Sequence, residues 1–102
     1  MFGLSSMEIH MIQEVLRQYP EIEKVHIFGS RALGTFKKGS DIDLVVYGLN
    51  VSNQTLLRVT DMLEEELPLP YFFDVVHYES IENKRLIQHI DEYGQQIYQK
   101  TT

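Results

Sequence analysis

A small α/β domain on one mixed β-sheet is the fold this sequence predicts, and three observations predict it. Apolar stripes at helical spacing alternate along the chain with short β-branched and aromatic runs. At 102 residues the chain has material for one core. The twelve residues from Gly29 to Ser40 are few for a parallel crossover carrying a full helix, which favours an antiparallel first pair of strands.

Taken in order, Ser5 and Glu8 have capping-box spacing, and Ile9, Ile12, Val15, Leu16 and Tyr19 recur behind them until Pro20. This predicts a helix over about 6–18. Lys24–Phe28 reads as a buried strand ending at Gly29-Ser30, and residues 30–36 suit a short helical turn before the polar break at 37–40. Asp41–Tyr47 is a second strand, with Ile42, Leu44 and Val46 on one face and Asp41, Asp43, Val45 and Tyr47 on the other. Leu56, Val59, Leu63 and Leu67 mark a helix over about 53–66, capped by Ser52 and closed by Pro68. Tyr71–His77 is a third strand with one charge inside it, Asp74. Ser80 is positioned to cap a last helix over about 81–98, marked by Leu86, Ile90, Tyr93 and Ile97. The predicted order is α-β-(α)-β-α-β-α, a single domain over 1–102 with helices packed on a small mixed sheet.

Composition narrows the function. Zero cysteines exclude disulfides, thiolate metal sites and cysteine nucleophiles. Met1–Ser6 has no basic stretch of the signal-peptide kind, and no apolar run approaches the roughly 18 residues of a membrane span, so the expected address is the cytoplasm. Fifteen acids against nine bases give a net charge of -6. That balance repels a phosphate backbone, so direct nucleic-acid binding is not expected.

Three features converge where the first strand ends and the second begins. Gly29-Ser30 lets backbone approach a ligand and supplies N–H and hydroxyl donors suited to phosphate. Asp41 and Asp43 lie side by side on one strand face, where two ionised acids repel unless a cation sits between them. Such a pair suits Mg²⁺, which takes one or two carboxylates together with substrate phosphates. Asp74, flanked by Tyr71-Phe72-Phe73 and Val75-Val76, is expected to be buried, paired either with a metal or with Lys24 or Arg31 in a core salt bridge.

Gly29-Ser30-Arg31-Ala32-Leu33-Gly34 followed by Ser40-Asp41-Ile42-Asp43-Leu44 resembles the signature of the polymerase-β-like nucleotidyltransferase superfamily: Gly-Ser, about ten residues, Asp-x-Asp, and a third acid on a later strand. Ten residues separate Ser30 from Asp41 here, and Asp74 stands where the third acid is expected. The Arg-Ala after Gly-Ser and the Ser before the acids are similar to the minimal nucleotidyltransferases (MNT proteins), and the likeness extends over nearly the whole chain. The resemblance implies that Asp41, Asp43 and Asp74 are catalytic and hold two Mg²⁺ ions. It implies that Gly29 and Ser30 grip the phosphates of ATP or another nucleoside triphosphate, with Arg31 neutralising phosphate charge. It further implies a HEPN-domain toxin as partner and transfer of AMP to a tyrosine of that partner.

Two readings of different classes follow: an Mg²⁺-dependent transferase acting on a partner protein, and a non-catalytic, nucleotide-binding antitoxin or assembly subunit that works by occlusion. Three like charges kept around one pocket favour the transferase. The remaining residues are read as structural. His10, His26, His77 and His89 show no ligand spacing on one helix face, Glu64-Glu65-Glu66 reads as a solvated helix end, and Tyr47 and Tyr78 are candidates for a base pocket. Tyr93, Ile97 and Tyr98 mark the last helix as a candidate partner surface.

Overall fold

The computed structural model describes residues 1–101. Helix α1 (Ser6–Arg17) starts where Ser5 and Glu8 form the reciprocal capping box expected of them. Strand β1 (Lys24–Phe28) leads into α2, a single turn over Ser30–Leu33, and then β2 (Ile42–Tyr47). Helix α3 (Asn53–Asp61) begins at the Ser52 cap and runs on as a π-helical turn, Met62–Glu66. Strand β3 (Phe73–His77) follows, then a 3₁₀ turn at Tyr78–Ser80, α4 (Lys84–Tyr93) and β4 (Gln95–Gln99).

The sheet has the order β3-β2-β1-β4. β1 is antiparallel to β2 and to β4, whereas β2 and β3 are parallel. The short connection through α2 therefore closes an antiparallel pair, as its length predicts, and the long connection through α3 serves the parallel one.

Both sheet faces are covered, by different helices. On one side Ile12, Val15 and Leu16 of α1 and Val59 and Leu63 beyond them pack on Val25, Ile27, Ile42, Leu44 and Val46. On the other, Ile90 of α4 packs with Phe28 and Val45. The period-2 alternation of β2 thus feeds two cores, and Asp43 lies on the α4 side with Val45.

The last helix is the main correction. It runs over Lys84–Tyr93 rather than 81–98, and Asn83, not Ser80, caps it by accepting the Arg85 and Leu86 N–H groups. Gly94 ends it, donating its N–H to the Ile90 carbonyl while its own backbone turns extended. Residues beyond it become β4, where Ile97 and Tyr98 are buried in the main core, so they form no partner surface. Strand β3 also starts two residues later than expected, at Phe73. Glu64 is not free in solvent: its carboxylate accepts the Phe73 N–H at 2.7 Å, tying the end of the α3 region to β3.

Candidate active site

Antiparallel pairing sets Phe28 opposite Asp43, so the turn that follows β1 lies beside the start of β2. Parallel pairing sets Asp43 opposite Asp74 on β3. Three segments that are far apart in sequence therefore meet at one end of the sheet. Gly29 has φ +73° and ψ -153°, a conformation that favours glycine, and a Cβ there would overlap the Asp43 carboxylate. The backbone conformation calls for glycine, and any larger residue would also push the Asp43 carboxylate aside.

Asp43 is half-buried and Asp41, one residue before the strand, is exposed. Burial pushes the Asp43 carboxyl above the usual carboxylate range, and the charges of Asp74 and Asp41 add to the rise against a smaller opposing pull from Arg31. Asp74 differs from the expectation: it is exposed, and no core salt bridge holds it among the described residues. The reason is topological, because β3 is an edge strand and α4 packs farther along the sheet, over Phe28 and Val45.

These carboxylates fit a hard divalent cation. A half-buried acid pressed by two like charges is relieved when a cation binds among them. Among the described residues no three His, Asp or Glu side chains converge tightly enough to enclose an ion. An open set of this kind matches Mg²⁺, which keeps waters and takes substrate phosphates in place of further protein ligands.

Arg31 is buried and bonded within the chain. It is 3% exposed, and its guanidinium donates through Nε (3.1 Å) and Nη2 (2.7 Å) to the Ser40 carbonyl and through Nη1 (2.8 Å) to the Phe2 carbonyl. The group also lies over the rings of Phe36 and Tyr71, at 5.0 and 4.8 Å. Three of its five N–H donors are committed within the chain, forming a clamp that fixes the residue just before Asp41.

His89 is a residue that sequence reasoning passed over. Its Nε2 accepts the Gly29 N–H at 3.0 Å, bridging α4 to the Gly-Ser turn. No local pattern announces a bond between residues 60 positions apart, and a histidine on an amphipathic helix reads as ordinary.

Comparison with known proteins rests on this geometry. The family model described as "Polymerase beta, Nucleotidyltransferase" matches residues 10–102. The chain belongs to the polymerase-β nucleotidyltransferase family. No curated protein sequence matches it. Among solved structures, the nucleotidyltransferase domain is similar to a chain of a toxin–antitoxin crystal structure with AMP-PNP, at 25% identity and a TM-score of 0.75, covering 91% of this chain and 74% of that one. It shares its fold with a chain from the complex of a tri-AMPylated Shewanella oneidensis HEPN toxin with MNT antitoxin (21% identity, TM-score 0.72, 95% and 74% covered). The toxin–antitoxin MntA–HepT gives a similar fit, at 21% identity and a TM-score of 0.71 over 94% and 74% of the two chains.

Within this nucleotidyltransferase domain, Tyr47 and Tyr78 stack with ring centroids 4.5 Å apart, near Lys24, whose Nζ lies 4.6 Å from the Tyr47 ring centre. Tyr47 closes β2 and Asp43 is its second residue, so these rings occupy the far end of the same face. No helix of the described residues is long and apolar enough to cross a membrane.

Proposed function

We propose that this chain is an Mg²⁺-dependent nucleotidyltransferase that moves AMP from ATP to a hydroxyl of a partner protein, a tyrosine of a HEPN-domain toxin, and so acts as an antitoxin in the cytoplasm. The observation that carries the reading is the register: Asp43 faces Asp74 across β2 and β3, with Gly29 packed on the Asp43 carboxylate. Family membership supports the class of chemistry. Support for the nucleotide comes from a toxin–antitoxin structure with AMP-PNP, and for the acceptor from the tri-AMPylated HEPN toxin.

In this reading Asp41, Asp43 and Asp74 hold Mg²⁺. Bound there, the metal supplies charge neutralisation for the triphosphate and for the attacking and leaving oxygens. Gly29 and Ser30 grip the β- and γ-phosphates, and the absence of a Cβ at Gly29 keeps that turn against Asp43. Asp74, exposed on the edge strand, is reached by an incoming hydroxyl and takes its proton. The hydroxyl oxygen bonds to the α-phosphorus as the bond from that phosphorus to the bridging oxygen breaks. The products are an AMP ester of the acceptor and pyrophosphate.

Two labels test the chemistry. With Mg²⁺ and the HEPN partner, α-labelled ATP is expected to label the partner and γ-labelled ATP is not. Label from the γ position would make the chain a kinase. A stable complex without either label would leave it a nucleotide-binding antitoxin that acts by occlusion.

A further inference from the structure

We propose that His89 is a positioning residue for the nucleotide, acting through Gly29; the proposal rests on the transferase reading above. The Gly29 backbone sits at φ +73° and ψ -153°, a mirror-β conformation that glycine enters freely, so the residue itself does not pin the turn and surrounding contacts must set it. Two contacts do so. On one side the Asp43 carboxylate occupies the space a Cβ would need, and on the other His89 Nε2 accepts the Gly29 N–H. Without that acceptor a partly buried backbone donor would be left unpaired.

The ring is itself held. Its centroid lies 6.1 Å from Phe28, edge to face, and 5.5 Å from Tyr93. The next residue, Ile90, is buried against Phe28 and Val45, which fixes the helix that carries the ring. A continuous path thus runs from the core under α4, through His89 and Gly29, to Asp43. The hydrogen bond also limits what His89 can do. An amide donates to Nε2, so that nitrogen carries no proton and its lone pair is engaged; in the neutral ring the proton is on Nδ1. Neither nitrogen of this neutral ring is free to act as the base for an acceptor hydroxyl, which leaves positioning as its role.

His89→Phe keeps an aromatic ring between Phe28 and Tyr93 but removes the acceptor, whereas His89→Gln supplies an acceptor oxygen near the place of Nε2 without the ring. The KM for ATP and kcat in AMP transfer to the HEPN partner, and the Gly29 amide resonance of the ¹⁵N-labelled chain, separate the two. His89→Phe is expected to raise the KM for ATP roughly three- to tenfold, the loss of one hydrogen bond, with kcat changed by less than about twofold. Its Gly29 amide proton is expected to move upfield. His89→Gln is expected to restore both KM and the amide shift. A His89→Phe chain with wild-type KM and amide shift would overturn the proposal, as would a His89→Gln chain as impaired as the Phe variant, since the ring alone would then matter. Wild-type chain that transfers no AMP and binds no MgATP would overturn the transferase reading and this inference with it; wild-type transfer with unaffected variants would overturn this inference alone.

Discussion

Replacing Arg31 by Met separates a clamp from a phosphate ligand. The substitution keeps an apolar stem of similar reach but takes a charged donor from two carbonyls, those of Ser40 and Phe2. Hydrogen bonds from charged groups contribute about 1.5–3 kcal/mol each. Ser40 and Phe2 are only half-buried, so water regains access to their carbonyls and the lower figure applies to each. Ring contacts with Phe36 and Tyr71 are also lost, while the Met side chain recovers part of that packing. The expected destabilisation is about 3 kcal/mol, which for a domain of this size lowers Tm by roughly 12–24 °C. Arg31→Lys keeps the charge but cannot reach both carbonyls with one ammonium group, and is expected to fall between Met and wild type. Thermal unfolding by circular dichroism, without nucleotide, reads the effect. Arg31→Met melting within about 2 °C of wild type, under 0.5 kcal/mol, would refute the reasoning. Unchanged melting with a raised KM for ATP would return the guanidinium to the phosphates.

Two further outcomes follow from the same geometry. Gly29→Ala combines a strained backbone with overlap on Asp43, so it is expected to cost about 1–3 kcal/mol in urea unfolding and to abolish MgATP binding even where the protein remains folded. Asp43 has a folded-state pKa raised above its unfolded value, so the native state holds its proton more tightly; the associated stability is complete below the unfolded pKa and is lost as pH rises through the folded one. In EDTA at neutral pH, Asp43→Asn is therefore expected to melt higher than wild type. That advantage should vanish as the pH falls through the folded pKa toward the ordinary carboxylate range, and added Mg²⁺ should stabilise wild type but not the variant. Equal melting of the two chains in EDTA at every pH would contradict the electrostatic picture of the site.

What was legible in the sequence was local. The alternation of Ile42, Leu44 and Val46 with Asp43, Val45 and Tyr47 is a period-2 signal, and the sheet places those sets on opposite faces. The length of the segment from Gly29 to Ser40 carried the antiparallel pairing, and with it the meeting of Gly29 and Asp43. Long-range contacts were not legible. The burial of Arg31 depends on where Phe2, Phe36 and Tyr71 arrive, and the bond from Gly29 to His89 depends on how α4 lies across the sheet. Asp74 looked buried because its neighbours in sequence are apolar, but an edge strand leaves it exposed. At the C-terminal end, Tyr93 and Ile97 happen to have helical spacing, and Gly94 between them carried the stop signal. The five residues after it, Gln95–Gln99, extend the sheet beside β1 instead.

The central claim is that the carboxylates gathered at the Gly-Ser turn transfer a nucleotide. It is tested most directly by the intact mass of the HEPN partner after incubation with MgATP and either wild-type chain or Asp41→Ala/Asp43→Ala. Wild type is expected to add one or more AMP units to the partner, and the double variant, still folded and still bound to the partner, none. Equal AMP addition by both chains, or none by wild type in a stable complex, would contradict it.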